Sequence, residues 1–249
     1  MKNIMFIHGF MNNGQIWSEW KTFFEQRNFN CYNYSWPYMD GDVKELTQSP
    51  SPKLAGTNFN DVVTHYAKLI QQLDEPPVLI GHSLGGVVVQ KLLSMGYGSA
   101  AVCINSGPPK GIFKFNWDFI VSNAQLMNPF KKNSLVLMDA NWYHKYVTND
   151  LTYNETQKFI DEYCLPASKQ VAKTIGSIDF KAPHKPLLFI AGQDDHSQPV
   201  VINKANFDAY TNAASVKKFK VFPKRTHNIL SQSAWEEVAT YAINWIDNI

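Results

Sequence analysis

The stretch "LIGHSLGGVVVQ" at residues 79–90 places one serine among three glycines, between an apolar run and a helix-like run. These runs predict a strand over 76–83 and a helix over 84–96. Glycine is favoured where a strand turns sharply into a helix, because other side chains would collide there. Gly81-His82-Ser83-Leu84-Gly85 also fits G-x-S-x-G, the pattern in which such a turn exposes a serine nucleophile. The sequence therefore predicts a tight turn with Ser83 at its tip.

Outward from this turn, apolar strand-like runs alternate with amphipathic helical runs. This alternation is typical of a parallel sheet flanked by helices, with its chemistry at the carboxyl ends of the strands. A polar, proline-interrupted stretch at 39–56 is expected to be irregular. The other predicted strands are 3–9, 31–36, 100–109, 186–195 and 216–223, and the other predicted helices are 17–28, 61–73, 200–210 and 233–248.

The length and composition of the chain indicate one globular protein that binds neither nucleic acid nor a charged membrane surface. The chain has 249 residues, with 23 Lys and Arg against 21 Asp and Glu, a net charge of +2. This balance gives no basis for binding nucleic acid or an anionic membrane. The three cysteines are too widely spaced for a disulfide framework or a zinc site, so no metal is expected. With no signal peptide and no membrane-spanning run, we expect a cytoplasmic protein.

A serine hydroxyl needs a general base within hydrogen-bond reach, and that base needs an acid to hold its tautomer. Of the seven histidines, only His227 lies in a loop after the last predicted strand and before the last predicted helix. The acid is expected after a sheet strand, where "AGQDDHSQP" offers Asp194 and Asp195. The tetrahedral intermediate also needs backbone N–H donors, and Leu84, directly after the nucleophile, supplies one.

At this point the sequence resembles the α/β-hydrolase superfamily. In that superfamily G-x-x-D-x-x-x-P often supplies the triad acid, which implies that Asp195 has this role and that Asp194 is a loop carboxylate. Some members place the acid one strand earlier, where this chain has Asn105, an uncharged amide. The "HGF" loop implies that Phe10 is the second oxyanion donor, with Met11 as the alternative. The implied order is Ser83, Asp195, His227.

The resemblance also implies a domain organisation. Residues 1–109 and 185–249 would form a compact core with a sheet of about six parallel strands, and residues 110–184 would form a helical cap. Aromatic residues crowd this interval, and a capped aromatic pocket favours a bulky apolar substrate. We expect Trp117 and Met127 to contact the substrate, because both lie early in the cap.

The stretches "WPYMDGDVKEL", "NSGPPKG" and "LPASKQV" resemble a bacterial subgroup of α/β hydrolases that includes esterases opening the lactone ring of macrolide antibiotics. The expected function is therefore a cofactor-free serine esterase or lactonase whose partner is a small hydrophobic ester or lactone. Three other functions are compatible with the sequence. The protein could be a general carboxylesterase, a non-hydrolytic enzyme of the same fold such as a perhydrolase or a cofactor-free oxygenase, or a ligand-binding receptor. The sequence does not predict the oligomeric state.

Overall fold

The main sheet has six parallel strands. In the computed structural model the described residues are 1–127 and 135–249, except for the side chains of 125–127. The strands within these ranges are β1 (Asn3–Ile7), β2 (Asn30–Tyr32), β3 (Val78–His82), β4 (Ala100–Ile104), β5 (Leu135–Val136), β6 (Ala167–Ser168), β7 (Leu187–Gly192) and β8 (Lys217–Phe222). The strands of the main sheet follow the order β2-β1-β3-β4-β7-β8, and β5 pairs with β6 in a separate antiparallel sheet.

Helices connect and flank these strands. The helix between β3 and β4 packs on both of those strands, and the helix between β7 and β8 packs likewise on its two neighbours. The helices are α1 (Ser18–Glu25), α2 (Val43–Gln48), α3 (Phe59–Ile70), α4 (Leu84–Ser94), α5 (Trp117–Met127), α6 (Ala140–Tyr146), α7 (Tyr153–Tyr163), α8 (Lys169–Lys173), α9 (Val200–Ala209) and α10 (Glu236–Asp247). The predicted compact parallel sheet flanked by helices is confirmed.

The central strands β3 and β4 are buried along their whole length. This explains their unbroken apolar sequence, because helices cover both faces of a parallel strand and none of its side chains is exposed to solvent. Their register aligns Val78 with Ala100 and His82 with Ile104. The two strands therefore end side by side, and the residues that follow them, Ser83 and Asn105, emerge at the same edge of the sheet.

Several predictions about local structure were wrong. The strands predicted over 100–109 and 186–195 end early, at Ile104 and Gly192. Residues 43–48 of the stretch expected to be irregular form helix α2, because the Asp42 side chain caps it by accepting the Glu45 N–H at 3.0 Å. The strand predicted over 31–36 ends at Tyr32, where its pairing with β1 also ends. Beyond that point the backbone N–H of Trp36 donates to the His8 side chain at 2.9 Å instead of to a strand.

The start of α4 lies so close to β1 and β3 that two glycines have no room for a side chain. A Cβ on Gly85 would collide with the backbone carbonyl oxygens of Ile7 and His8, and one on Gly81 with the carbonyl of Gly85. The obstructing atoms are backbone, which cannot rotate away. The two glycines of the motif are therefore required by a close approach between backbones.

Residues 110–184, the insert, lie between β4 and β7. The described part of the insert contains α5 to α8 and the β5–β6 pair. The aromatic rings of Trp142, Tyr143, Tyr146 and Phe159 contact one another between α6 and α7. These four rings therefore pack against one another within the insert. A division of the chain into core and cap domains stays a prediction.

The described residues contain neither a disulfide, nor a cluster of metal ligands, nor a membrane-spanning helix. The three cysteines are buried free thiols. In the described ranges no group of three or more His, Cys, Asp or Glu residues is placed to hold a metal ion. Among the helices described, none has the length and apolarity needed to cross a membrane.

The close approach at Gly85 predicts a large loss of stability for Gly85→Ala. The added methyl group must push α4 away from β1, and overpacking of this kind costs about 1–3 kcal/mol or more. Urea unfolding followed by circular dichroism measures the change. Gly56→Ala is the matched control, because a Cβ there meets nothing within 4 Å, and its effect should stay within about 0.5 kcal/mol. Equal effects of the two substitutions would contradict the packing argument.

Candidate active site

Ser83 sits between β3 and α4 in a strained backbone conformation. Its φ of 55° and ψ of −122° lie outside the regions that L-residues normally occupy. Three backbone hydrogen bonds maintain this conformation: the Ser83 N–H donates to Ile104 at 3.0 Å, and the Ser83 carbonyl accepts from Gly86 and Gly107 at 3.0 and 3.1 Å. Strain of this kind persists only where the surrounding structure imposes it. The turn therefore presents Ser83 at the carboxyl edge of the sheet, as the motif predicts.

Asp195 and His227 form a buried pair. The Asp195 Oδ2 atom is 2.7 Å from His227 Nδ1. The other carboxylate oxygen accepts the backbone N–H groups of Ser197 and Gln198, at 2.8 and 2.7 Å. Asp195 is 2% exposed, so its oxygens depend on these donors in place of water. The carboxylate therefore keeps the proton of His227 on Nδ1 and leaves Nε2 as the free acceptor.

The neighbouring residue, Asp194, has an exposed side chain. Its backbone N–H donates to the carbonyl of Arg225 at 2.9 Å, two residues before His227. The structure thus brings the side chain of Asp195 to His227. The catalytic roles of these residues stay predictions at this point.

Two polar side chains that the sequence analysis did not assign to the site fix the loop around His227. His82 Nε2 lies 2.9 Å from the His227 carbonyl oxygen. Asn105 is fully buried, donates to the Thr226 carbonyl at 2.9 Å and accepts the Gly192 N–H at 2.7 Å. The Asn105 amide therefore connects the end of β4 to the end of β7 and to the loop that carries His227. The available signal was that the apolar run ends at Ile104, so that Asn105 is the first polar residue of the strand predicted over 100–109. Asn105 was considered there only as an uncharged residue at the alternative position of the acid.

His82 acts as a neutral hydrogen-bond donor. Burial holds the pKa of His82 well below its usual value, and the nearby His227 lowers this pKa further. The two rings lie with their centroids 4.6 Å apart. A neutral imidazole with its proton on Nε2 can donate to the His227 carbonyl. His82 thus supports His227 without adding a second positive charge beside it.

The "HGF" loop approaches Ser83 directly. A Cβ on Gly9 would lie 3.0 Å from the Ser83 Cβ and 3.2 Å from the His82 carbonyl oxygen, so glycine permits this approach. Phe10 and Leu84 both line the cavity that contains Ser83. The Leu84 N–H is the first of α4, and the first N–H groups of a helix have no partner within it. The alternative donor Met11 also lines the cavity, in a left-handed conformation with φ of 62°.

Ser83 and His227 open into the same cavity of about 800 Å³. This volume lies toward the upper end of the range for small-molecule sites. The core contributes one wall and the insert the other, and the walls are mainly apolar. The lining from the insert includes Phe113, Phe119, Ile120, Trp142, Tyr143, Val147, Phe159 and Ile175.

Of the two substrate contacts expected in the insert, Trp117 does not line the described cavity. Trp117 is 68% exposed. It begins α5, and the residues of this helix that face the cavity are 119–120 and 123–124, two to seven residues further along. Met127 ends α5, and its side chain lies outside the described residues. Phe119 and Ile120 take the place expected for Trp117.

His8, at the end of β1, is a second neutral histidine. Its Nδ1 lies 2.9 Å from the Gly9 carbonyl, and its Nε2 accepts the Trp36 N–H at 2.9 Å. Both contacts are satisfied by a neutral ring that carries its proton on Nδ1. Burial lowers the pKa of His8 from 6.5 to about 3. His8 therefore holds the glycine loop against the segment after β2.

The chain is similar to proteins of known family and structure. The model of a family described as "Alpha/beta hydrolase family" matches residues 4–241. No curated protein matches the sequence. Solved structures similar to this chain include an extracellular alpha/beta-hydrolase from a Paenibacillus species, at 15% identity and a TM-score of 0.76 over 98% of each chain. A methylesterase from Arabidopsis has 14% identity and a TM-score of 0.74 over 100% of each chain.

A monoacylglycerol lipase from Paleococcus ferrophilus has 16% identity and a TM-score of 0.70, covering 98% of this chain and 93% of the lipase. At such low identities these likenesses show the shared fold alone.

The low pKa of His8 predicts that stability falls as the pH is lowered. The unfolded chain takes up a proton near pH 6.5, whereas the folded protein resists it down to about 3. Stability from this group is therefore complete above pH 6.5 and is lost on acidification, by about 1.4 kcal/mol per pH unit. Urea unfolding between pH 6.5 and 4.5 should show this excess slope relative to His8→Gln, which does not titrate. Parallel curves would show that His8 is not buried in its neutral form.

Proposed function

The chain belongs to the alpha/beta hydrolase family, and from this premise we propose that it is a serine hydrolase cleaving a carboxylic ester or lactone of a bulky hydrophobic molecule. One observation supports this above the others: Ser83 and His227 line one cavity, and His227 is bonded to the buried Asp195 at 2.7 Å. A positioned nucleophile, base and acid is the arrangement that acyl transfer requires.

In the proposed mechanism, Ser83 Oγ attacks the substrate carbonyl while His227 Nε2 accepts the serine proton. Asp195 stabilises the imidazolium that forms. The backbone N–H groups of Phe10 and Leu84 donate to the oxyanion, and the positive end of the α4 dipole adds to this stabilisation. His227 then gives its proton to the leaving alkoxide. A water activated by His227 attacks the acyl-enzyme and releases the acid together with the free serine.

The cavity favours a large apolar group on at least one side of the ester bond. Its volume of about 800 Å³ and its lining of aromatic and aliphatic side chains suit such a group better than a small charged one. The insert covers the site in this proposal, where it excludes water from the acyl-enzyme. A macrocyclic lactone is the specific substrate class that we propose, and it needs no change in mechanism because it is an ester within a ring.

The first prediction of this proposal is serine-dependent hydrolysis. Ser83→Ala and His227→Ala should each lower turnover by about three orders of magnitude or more, because triad residues act as a unit. Initial rates on p-nitrophenyl esters of increasing chain length give the measurement, and mass spectrometry detects the gain of one water on a macrocyclic lactone. Ser94→Ala, an exposed serine later on α4, is the control and should keep the wild-type rate.

The outcomes separate the possible functions. Hydrolysis of the macrolactone would establish the specific class, and turnover of simple esters alone would indicate a general carboxylesterase. Tight ligand binding that survives Ser83→Ala, without turnover by the wild type, would indicate a receptor. A wild-type protein that converts no ester would contradict the proposal.

The second prediction separates the two adjacent carboxylates. Asp195→Asn should lower kcat by about three orders of magnitude, because an amide cannot stabilise the imidazolium and favours the wrong tautomer. Asp194→Asn changes an exposed side chain and should stay within about twofold of the wild type. Measuring kcat for both variants on the best ester provides the comparison. The reverse ranking would transfer the role of the acid to Asp194.

A further inference from the structure

One short segment of the insert, residues 145–150, comprises the end of α6 and the start of its connection to α7. It contacts the loops that carry Asp195 and His227, and we call it the brace. The acid loop is defined as residues 194–196 and the histidine loop as residues 226–228. The brace makes four hydrogen bonds to them, two to each loop. The His196 Nδ1 atom lies 3.2 Å from the Lys145 carbonyl, Asn149 Nδ2 donates to the Asp194 carbonyl at 3.1 Å, the Asn228 N–H donates to the Val147 carbonyl at 3.1 Å, and Thr226 Oγ1 donates to Asp150 Oδ1 at 2.9 Å.

The placement of these bonds is specific. Those to the acid loop lie on either side of Asp195, and those to the histidine loop lie on either side of His227. The two loops come from different strands, and the brace spans both. A shift of one loop relative to the other, which would stretch the Asp195–His227 bond, therefore has to break a contact with the brace.

The brace is itself held firmly in the insert. Thr148 is fully buried, and its hydroxyl lies 2.9 Å from the Thr156 hydroxyl of α7 and 3.2 Å from the Tyr143 carbonyl of α6. The backbone N–H of Val147 also donates to Tyr143, at 2.8 Å. Two helices thus fix the backbone between them, so the brace can resist movement of the loops that it contacts.

We propose that the brace positions the Asp195–His227 pair for catalysis, with Asn149 and Asp150 as positioning residues. This inference rests on the proposed function. Neither side chain is in the described cavity lining, so each acts through the loops and not on the substrate. Val147 does line the cavity while its carbonyl holds Asn228. A substrate that fills the cavity therefore touches the same segment that sets the acid–histidine geometry.

The test removes both side-chain contacts in Asn149→Ala/Asp150→Ala. Because the loops gain freedom while the cavity is unchanged, kcat should fall about tenfold and KM should stay within about twofold. A second readout does not depend on any substrate: the far-downfield proton resonance of His227 Nδ1–H, which reports its bond to Asp195. This resonance should shift upfield or broaden in the double variant.

Two variants serve as controls. Asp150→Asn keeps a side-chain oxygen that can accept the hydrogen bond from Thr226, so its kcat should stay near the wild-type value. Asp161→Ala removes an exposed carboxylate of the insert that is bonded to Gln157 of its own helix at 2.9 Å, and it should change neither readout. If the double variant fails to fold, Asp150→Ala alone is measured in the same way.

A folded double variant with unchanged kcat and unchanged resonance would overturn the proposal. A fall in thermal midpoint alone would overturn it too, because the brace would then only attach the insert to the core. A failure of the proposed function is distinguishable: the wild type would hydrolyse no ester, and the His227 resonance would still decide whether the brace holds the pair.

Discussion

The close approach of α4 to the ends of β1 and β3 is the constraint on which the rest of the site depends. Gly85 lies against the carbonyl oxygens of Ile7 and His8, and Gly81 against Gly85 itself. The chain can turn from β3 into α4 in so little space only if Ser83 adopts a left-handed conformation. The strain at Ser83 and its position at the tip of the turn therefore have one cause, the packing of backbone on backbone beneath it.

The buried histidines of the site are of two kinds, with and without a carboxylate contact. His8 and His82 lie near Ser83, and burial lowers the pKa of both, so they remain neutral and serve as hydrogen-bond partners. His227 differs because a carboxylate contacts its Nδ1. A buried carboxylate stabilises an imidazolium, which an apolar surrounding alone would oppose. The arrangement confines proton transfer in the proposed mechanism to one of three neighbouring rings.

The insert connects the substrate cavity to this arrangement. Its apolar side chains form one wall of the cavity, and the brace bonds to the loops on both sides of Asp195 and His227. In the proposed mechanism the same segment would both limit water and maintain geometry. The lining near α5 comes from Phe119 and Ile120, and the exposed Trp117 has no part in it, since the rotation of a helix decides which of its aromatic residues face inward.

The sequence by itself determined the alternation of strands and helices, the turn at Ser83 and the identity of His227 as the base candidate, because these depend on local periodicity and on the order of residues along the chain. It missed helix α2, whose capping by Asp42 is a single polar contact within a proline-rich stretch. Only the tertiary structure decided the rest: which of two adjacent aspartates reaches His227, the bridging role of Asn105, and the brace. Each of these depends on distances between residues far apart in the chain, and a sequence gives spacing along the chain but not separation in space.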